Sequence, residues 1–244
     1  MFATIMFAVI GLSTAQDTPI PATLVAIEPL RVEVPASDGL TLVGDLYSQP
    51  DAPEDGAPSV MLMHMYNSNR AAWEPIIQPL LDAGYNILNV DLRGFGETGG
   101  DRNWTAATGD VQTWLDWLRT QPGVNPEQIA TMGGSIGSNL AIIGCANDEK
   151  CVTAIALSPG ADYFGLQPES YINEGLRRRS VLILASHSDR QSSVGVKQMV
   201  ADSSSLVEVG ARLYTGSTHG TSLLLTHEEA VRSMILDWLA EHMG

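Results

Sequence analysis

Gln128-Ile129-Ala130-Thr131-Met132-Gly133-Gly134-Ser135-Ile136-Gly137-Ser138-Asn139 is the stretch on which the reading of this chain turns. An apolar run leads into a glycine-flanked serine and then into residues that continue as a helix. Gly133, Ser135 and Gly137 fill a G-x-S-x-G pattern, in which the serine sits on a tight strand-to-helix turn and the flanking glycines let neighbouring backbone pass without a Cβ clash. Such a turn lifts the hydroxyl clear of the sheet. A serine hydroxyl is a weak nucleophile until a base takes its proton, so the pattern carries chemistry only if a histidine and an acid stand downstream. In a chain with 23 glycines the five residues alone decide little, and their context has to place the serine.

Outward from that stretch, strand and helix patterns alternate. Ser59 to His64 and Asn86 to Asp91 are continuous apolar runs of the kind buried on both faces. Between them a helix carries Trp73, Ile76, Ile77, Leu80 and Leu81 on one side and ends at Gly84. A second helix, Thr105 to Arg119, shows Val111, Trp114, Leu115 and Leu118 at the helical period and is closed by Pro122-Gly123. Beyond the serine come strands at Val152 to Leu157, Val181 to Ala185 and Val207 to Tyr214, a helix near Ser193 to Ala201, and a last helix with Val231, Met234, Ile235 and Trp238. At the front, Arg31 to Val34 and Leu40 to Leu46 flank the Asp38-Gly39 turn of a hairpin. The pattern predicts an α/β domain over residues 30–244: a mainly parallel eight-stranded sheet, antiparallel at its start, with helices on both faces. Only residues 158–180 leave room for a cap, and it would be a small one.

Residues 1–15 carry no charge, run apolar through Phe2 to Leu12, and end in Ser13-Thr14-Ala15, which suits signal peptidase although the segment lacks Lys and Arg. The apolar run is short of the roughly 20 residues that span a bilayer. Export to a periplasmic or extracellular location is expected, without stable membrane association. Residues 16–29, with Pro19, Pro21 and Pro29, read as an exposed entry segment. The balance of 13 Lys and Arg against 28 Asp and Glu gives a formal net charge of −15, which argues against nucleic acid or anionic membranes as partners. Cys145 and Cys151 are six positions apart, and in an exported protein they form a candidate disulfide. They do not have zinc-site spacing with a second pair.

In a sheet of this kind, functional groups collect beyond the carboxyl ends of the strands. Ser135 lies there, as does Asp189, just after the strand Val181 to Ala185, and His219, in the loop after the strand that ends at Tyr214. The order Ser, Asp, His, the elbow at Gly133 to Gly137 and the turn Asp91-Leu92-Arg93-Gly94-Phe95-Gly96 together resemble the α/β-hydrolase superfamily from about Arg31 to Gly244. Within it the chain is similar to small carboxylesterases and dienelactone-hydrolase-like enzymes. The dienelactone enzymes proper carry cysteine where this chain has Ser135, which favours ester cleavage. The resemblance implies Ser135 as nucleophile, His219 as base and then acid, and Asp189 as the group that orients the imidazole. Asp162, after the strand Val152 to Leu157, is the competing acid.

The resemblance also implies two backbone N–H donors for an oxyanion, at Ile136 and at Tyr66. The second stands in His64-Met65-Tyr66, where Met65 replaces the usual glycine. Trp104, Tyr163 and Tyr171 are candidate substrate-lining aromatics. His64 reads as a hydrogen-bonded structural residue, His187 as a rim residue, and His227 and His242 as solvated positions in the final helix region. Asp91 and Arg93 are expected to pair within their turn. No phosphate loop or metal cluster is present in the sequence, and no cofactor is expected; the partner is a small-molecule ester. A peptidase or amidase is the enzymatic alternative, and a catalytically silent binding protein on the same fold is the alternative from another class.

Overall fold

The hairpin marked by Asp38-Gly39 opens the fold: β1 (Leu30–Pro35) and β2 (Thr41–Tyr47) pair antiparallel, and Asp38 Oδ1 accepts the Leu40 N–H at 3.2 Å. The computed structural model describes residues 27–244, so the expected signal segment 1–15 and residues 16–26 of the entry segment lie outside the described residues. The remaining strands are β3 (Ala57–Met63), β4 (Asn86–Val90), β5 (Val124–Gly134), β6 (Cys151–Leu157), β7 (Ser180–Ser186) and β8 (Glu208–Tyr214). They form one sheet in the order β1-β2-β4-β3-β5-β6-β7-β8. β2 meets β4 antiparallel, and every pairing from β4 across to β8 is parallel. This is the expected eight-stranded α/β-hydrolase sheet.

The apolar runs became central strands because both of their faces are covered. Along β3, Val60 and Leu62 point into a layer with Trp73, Ile76 and Leu80 of the α1 region (α1, Glu74–Asp82) and with Val231, Ile235 and Leu239 of the last helix (Glu228–Met243). Met61 and Met63 point the other way, against Val111, Trp114 and Leu115 of α2 (Trp104–Arg119) and Leu140 of α3 (Ile136–Asn147). That is the two-residue strand period at work. Truncating Trp114 to alanine in such a layer costs about 3–5 kcal/mol. A third cluster joins Ile142 of α3 to Ile172 of α4 (Glu169–Gly175), Val196 of α5 (Arg190–Ala201) and Val181 and Ile183 of β7.

Two boundaries differ from the sequence reading. β5 starts at Val124 rather than near Gln128, because Val124 already pairs with Ala57. Pro126 has no N–H to give the ladder, and the register shifts before Ile129 meets Ser59. The helix α5 starts at Arg190 rather than near Ser193, directly after Asp189 at its N-cap.

The insert between β6 and β7 is small, consisting of an antiparallel bridge between Tyr163 and Leu166 and the two turns of α4. It is tied to α3 by Asn139, whose Nδ2 donates to the carbonyls of Gly160 (3.0 Å) and Leu166 (2.8 Å) while its Oδ1 accepts the Gly160 N–H at 3.1 Å. At the opposite end of α3, Cys145 is disulfide-bonded to Cys151. Closing so short a loop contributes about 2 kcal/mol on a chain-entropy estimate. The Arg179 guanidinium fastens the same connection by donating to the carbonyls of Cys145 at 2.7 Å and Cys151 at 3.0 Å.

Candidate active site

β5 runs directly into α3 with Ser135 between them at φ 52, ψ −120, a conformation that costs a non-glycine residue of order 1–3 kcal/mol. The surroundings hold it there: the Ser135 N–H donates to Leu157 O at 2.8 Å, and the Ser135 carbonyl accepts from Ser138 N–H at 2.9 Å and from the Ser138 hydroxyl. The role of Gly137 is close approach rather than backbone freedom. A Cβ there would stand 2.5 Å from His64 O and 2.8 Å from the Met63 carbonyl carbon, so the start of α3 packs directly on the end of β3.

The Ser135 hydroxyl donates toward His219 Nε2 at 2.7 Å, and His219 Nδ1 lies 2.6 Å from Asp189 Oδ2. A carboxylate only accepts, so Nδ1 carries the proton and Nε2 is left with the lone pair that faces the hydroxyl. Asp189 reaches this place from the end of β7; its side chain is 11% exposed, against 37% for His219. The structure therefore brings the three residues named from the sequence into one hydrogen-bonded chain. Asp162 stands apart, exposed, accepting from Gly165 N–H and Gln167 Nε2, both at 2.7 Å.

Ser158 was missed in the sequence, although it organises the far side of the site. It is buried at φ 60, its N–H donates to Leu184 O at 2.6 Å, and its hydroxyl accepts the Gly220 N–H at 2.9 Å, which fixes the loop that carries His219. Its carbonyl accepts the hydroxyls of Tyr163 (3.3 Å) and Ser192 (3.2 Å). Ser192 Oγ is 3.5 Å from His219 Nδ1, too far to displace Asp189. Nothing in the spacing of these serines marked them, since the contacts join segments at the ends of three different strands, β6, β7 and β8.

Of the remaining candidates, Ile136 is buried at the head of α3 and Tyr66 follows β3 by three residues; among the described residues neither main-chain N–H donates a hydrogen bond. Tyr163 is buried, with its ring edge-on to that of His219 at 6.4 Å; burial raises the pKa of its phenol. Trp104, at the start of α2, lies 6.2 Å from Tyr66 between ring centroids. Tyr171 is on α4, packed against the core layers behind α3. Phe164 was not named from the sequence. It is 63% exposed at φ 55, stacked on Tyr66 at 5.4 Å and on Trp104 at 5.7 Å.

His64 is buried: its Nε2 accepts the Leu92 N–H at 3.0 Å, so its Nδ1 donates to Met65 O at 2.7 Å, and desolvation lowers its pKa. His187 is exposed at the rim. Two expectations need correction. Asp91 and Arg93 do not pair with each other: the Asp91 carboxylate is already filled by the guanidinium and N–H of Arg70 and by the Glu97 N–H, whereas Arg93 reaches Asp110 at 2.6 Å and Asp38 at 2.7 Å. His242 is not solvated but stacks on Trp238 at 4.2 Å and bonds Trp238 O, one helical turn back. His227 is partly exposed, as expected, and also stacks on Tyr214 at 5.0 Å and bonds Thr215 O. Among the described residues no group of three or more His, Cys, Asp or Glu side chains is arranged to hold a metal ion.

Comparison with known proteins agrees with this architecture. The sequence matches the family model of the X-Pro dipeptidyl-peptidases (S15 family) over residues 38–242, from the β1–β2 turn to the last helix. The chain belongs to the X-Pro dipeptidyl-peptidase (S15) family. Curated relatives of this S15 chain include the polyketide transferase grgF of Penicillium sp, 34% identical over 66% of the chain and 52% of the relative. The thiohydrolase aneE of Aspergillus aculeatus is 27% identical over 66% of the chain and 52% of the relative. The protein YfhR of Escherichia coli K12 is 28% identical over 59% and 55%. The chain thus spans about half the length of these relatives, and 39% of that of YfhR from Salmonella typhi. Among solved structures, the Pyrococcus furiosus esterase Pf2001 superposes with a TM-score of 0.75 at 20% identity, covering 89% of this chain and 94% of that one. That likeness shows the α/β-hydrolase fold.

Proposed function

We propose that this S15-family chain is a serine hydrolase that cleaves carboxylic esters through an acyl-enzyme on Ser135. The observation that carries the proposal is the hydrogen-bonded chain from Ser135 Oγ through His219 to Asp189 Oδ2, at 2.7 and 2.6 Å, with the serine held at a positive φ. Ser135 Oγ attacks the ester carbonyl as its proton passes to His219 Nε2. The Asp189 carboxylate stabilises the imidazolium that forms. The tetrahedral oxyanion takes hydrogen bonds from the Ile136 N–H and, from the loop after β3, from that of Tyr66. Collapse expels the alcohol with the proton from His219. Water, deprotonated by the same His219, then attacks the acyl-serine, and as the acyl–Oγ bond breaks His219 returns the proton to Ser135 and the carboxylic acid product leaves.

Acyl chemistry is also supported by the names of a relative and two structural neighbours: a thiohydrolase, the Pyrococcus esterase, and the carboxylesterase EstE1 from a metagenomic library. The insert between β6 and β7 is small, with little to cover a substrate, which supports short or soluble esters. The Cys145–Cys151 bond supports an exported location, where disulfides persist.

Membership of the S15 family favours a second reading, a peptidase that releases dipeptides ending in proline. The test is hydrolysis of p-nitrophenyl esters from acetate to palmitate beside an X-Pro p-nitroanilide, with Ser135→Ala as the control. Turnover of short esters that vanishes in the variant, well above that of the anilide, supports the esterase. An anilide preferred over every ester replaces it with the peptidase.

A further inference from the structure

One aromatic surface near the nucleophile is packed on the core through Tyr66, Trp104 and Phe95 but ends in a side chain that the fold leaves uncovered. Phe164 is a large apolar side chain left 63% exposed, and it is carried at φ 55, where a bulky residue is strained. A core residue recovers such a cost through burial, and Phe164 recovers little. Its ring stacks on Tyr66 and on Trp104, with interplanar angles of 21° and 23°, and Phe95 lies edge-on beneath Tyr66 at 5.5 Å. The result is a stacked aromatic surface with an open side.

Both ends of this surface are fixed to the surroundings of Ser135. Tyr66 leaves β3 three residues after Met63, whose carbonyl packs against Gly137 in the elbow. Phe164 directly follows Tyr163, whose ring abuts His219.

A cation is held over the same surface. The Arg102 guanidinium lies 5.0 Å from the Tyr66 ring centroid and 4.8 Å from that of Phe95, and its Nη1 donates to the Tyr66 hydroxyl at 2.6 Å. Among the described residues Arg102 pairs with no carboxylate, a state it shares with Arg177, Arg178, Arg190 and Arg212, and it differs from them in lying over two aromatic rings with a tyrosine hydroxyl as partner. A guanidinium has five N–H donors in a planar fork that matches a carboxylate. One of them is used on Tyr66, which sets the direction of the rest.

We propose that Tyr66, Trp104, Phe164 and Arg102 form a subsite for an aromatic ring bearing a carboxylate, so that the preferred substrate is an anionic aromatic ester. The inference rests on the esterase reading and names its substrate class. The ring lies against the aromatic surface and its carboxylate meets the free edge of the Arg102 fork.

Two pairs of esters test it, each pair differing only in the anion. Phenyl acetate against 4-carboxyphenyl acetate places the charge on the alcohol; p-nitrophenyl benzoate against the mono-p-nitrophenyl ester of terephthalic acid places it on the acyl group. The wild type prefers the anionic member of one pair, and which pair responds tells which half of the ester occupies the subsite. In Arg102→Gln the ratio of kcat/KM, anionic over neutral, falls about fivefold, the size of one exposed charge-assisted contact. Arg102→Lys recovers part of it, and added salt weakens the wild-type preference. An anionic-over-neutral ratio that is the same in wild type and Arg102→Gln for both pairs overturns the subsite while leaving ester hydrolysis intact. If the wild type cleaves none of the four, the esterase reading fails. The subsite is then tested by quenching of tryptophan fluorescence: benzoate saturating wild type but not Arg102→Gln sustains it, and equal titrations with benzoate and phenol refute it.

Discussion

Two alanine substitutions at glycines have opposite predicted signs, and the contrast tests how the elbow is built. At Gly137 a new Cβ would lie 2.5 Å from His64 O, whereas ordinary contact begins near 3.4 Å, so about 1 Å must open between the start of α3 and the end of β3. Both sides are backbone, and no flexible side chain can absorb the shift. Overpacking of this kind costs about 1–3 kcal/mol, which lowers Tm by about 3–10 °C for a domain of this size. The catalytic cost is larger on the proposed mechanism, because the same movement separates the Ile136 N–H from the Tyr66 loop, the two donors proposed for the oxyanion. A 1 Å misplacement of this sort lowers the rate by about 10²-fold. At Gly109, within α2, nothing lies within 4 Å of the added Cβ. Alanine there is a better helix former by about 0.5–1 kcal/mol, so Tm rises by a few degrees. Differential scanning fluorimetry and initial rates on p-nitrophenyl acetate measure both variants. Gly137→Ala with wild-type Tm and rate would refute the close-packed elbow.

Other consequences are separable. Asp189→Asn removes the acceptor that fixes the His219 tautomer and lowers kcat by about 10³–10⁴-fold, while Asp162→Asn leaves it within about twofold; the reverse ranking in steady-state rates would make Asp162 the acid. His64 accepts the Leu92 N–H on Nε2, and protonation would set two donors against each other. Its folded pKa lies below the unfolded value, so its contribution is complete above about pH 6.5 and is lost as pH falls toward the folded value. Tm therefore drops between pH 7.5 and 5.5, and a His64→Gln variant shows a shallower drop. Equal slopes in the two proteins would remove His64 from the account.

Much of the fold was legible because its signals are local. The runs Ser59 to His64 and Asn86 to Asp91 are apolar throughout because they are covered on both faces, and the Asp38-Gly39 turn marks its hairpin within four residues. The candidate site was legible for a related reason: in a parallel sheet the strand ends gather on one edge, so Ser135, Asp189 and His219 needed only their places in the strand order. What local pattern does not encode is the partner chosen at a distance. Arg93 selects Asp110 and Asp38 over its neighbour Asp91, and the ladder of β5 begins across from Ala57 before its apolar stretch does. Phe164 was invisible for a third reason. An exposed aromatic in a short insert carries no periodicity, and its meaning comes from Tyr66 and Trp104, far away in the chain.

The central claim is that Ser135 becomes acylated. Rapid mixing of the protein with p-nitrophenyl acetate, followed by acid quench and intact-mass and peptide analysis, tests it most directly. The account predicts a burst of about one p-nitrophenol per chain where deacylation is the slower step, with one acetyl group on the peptide containing Ser135, and neither in Ser135→Ala. Turnover with no acetyl group trapped on that peptide, or a label that survives in Ser135→Ala, would contradict it.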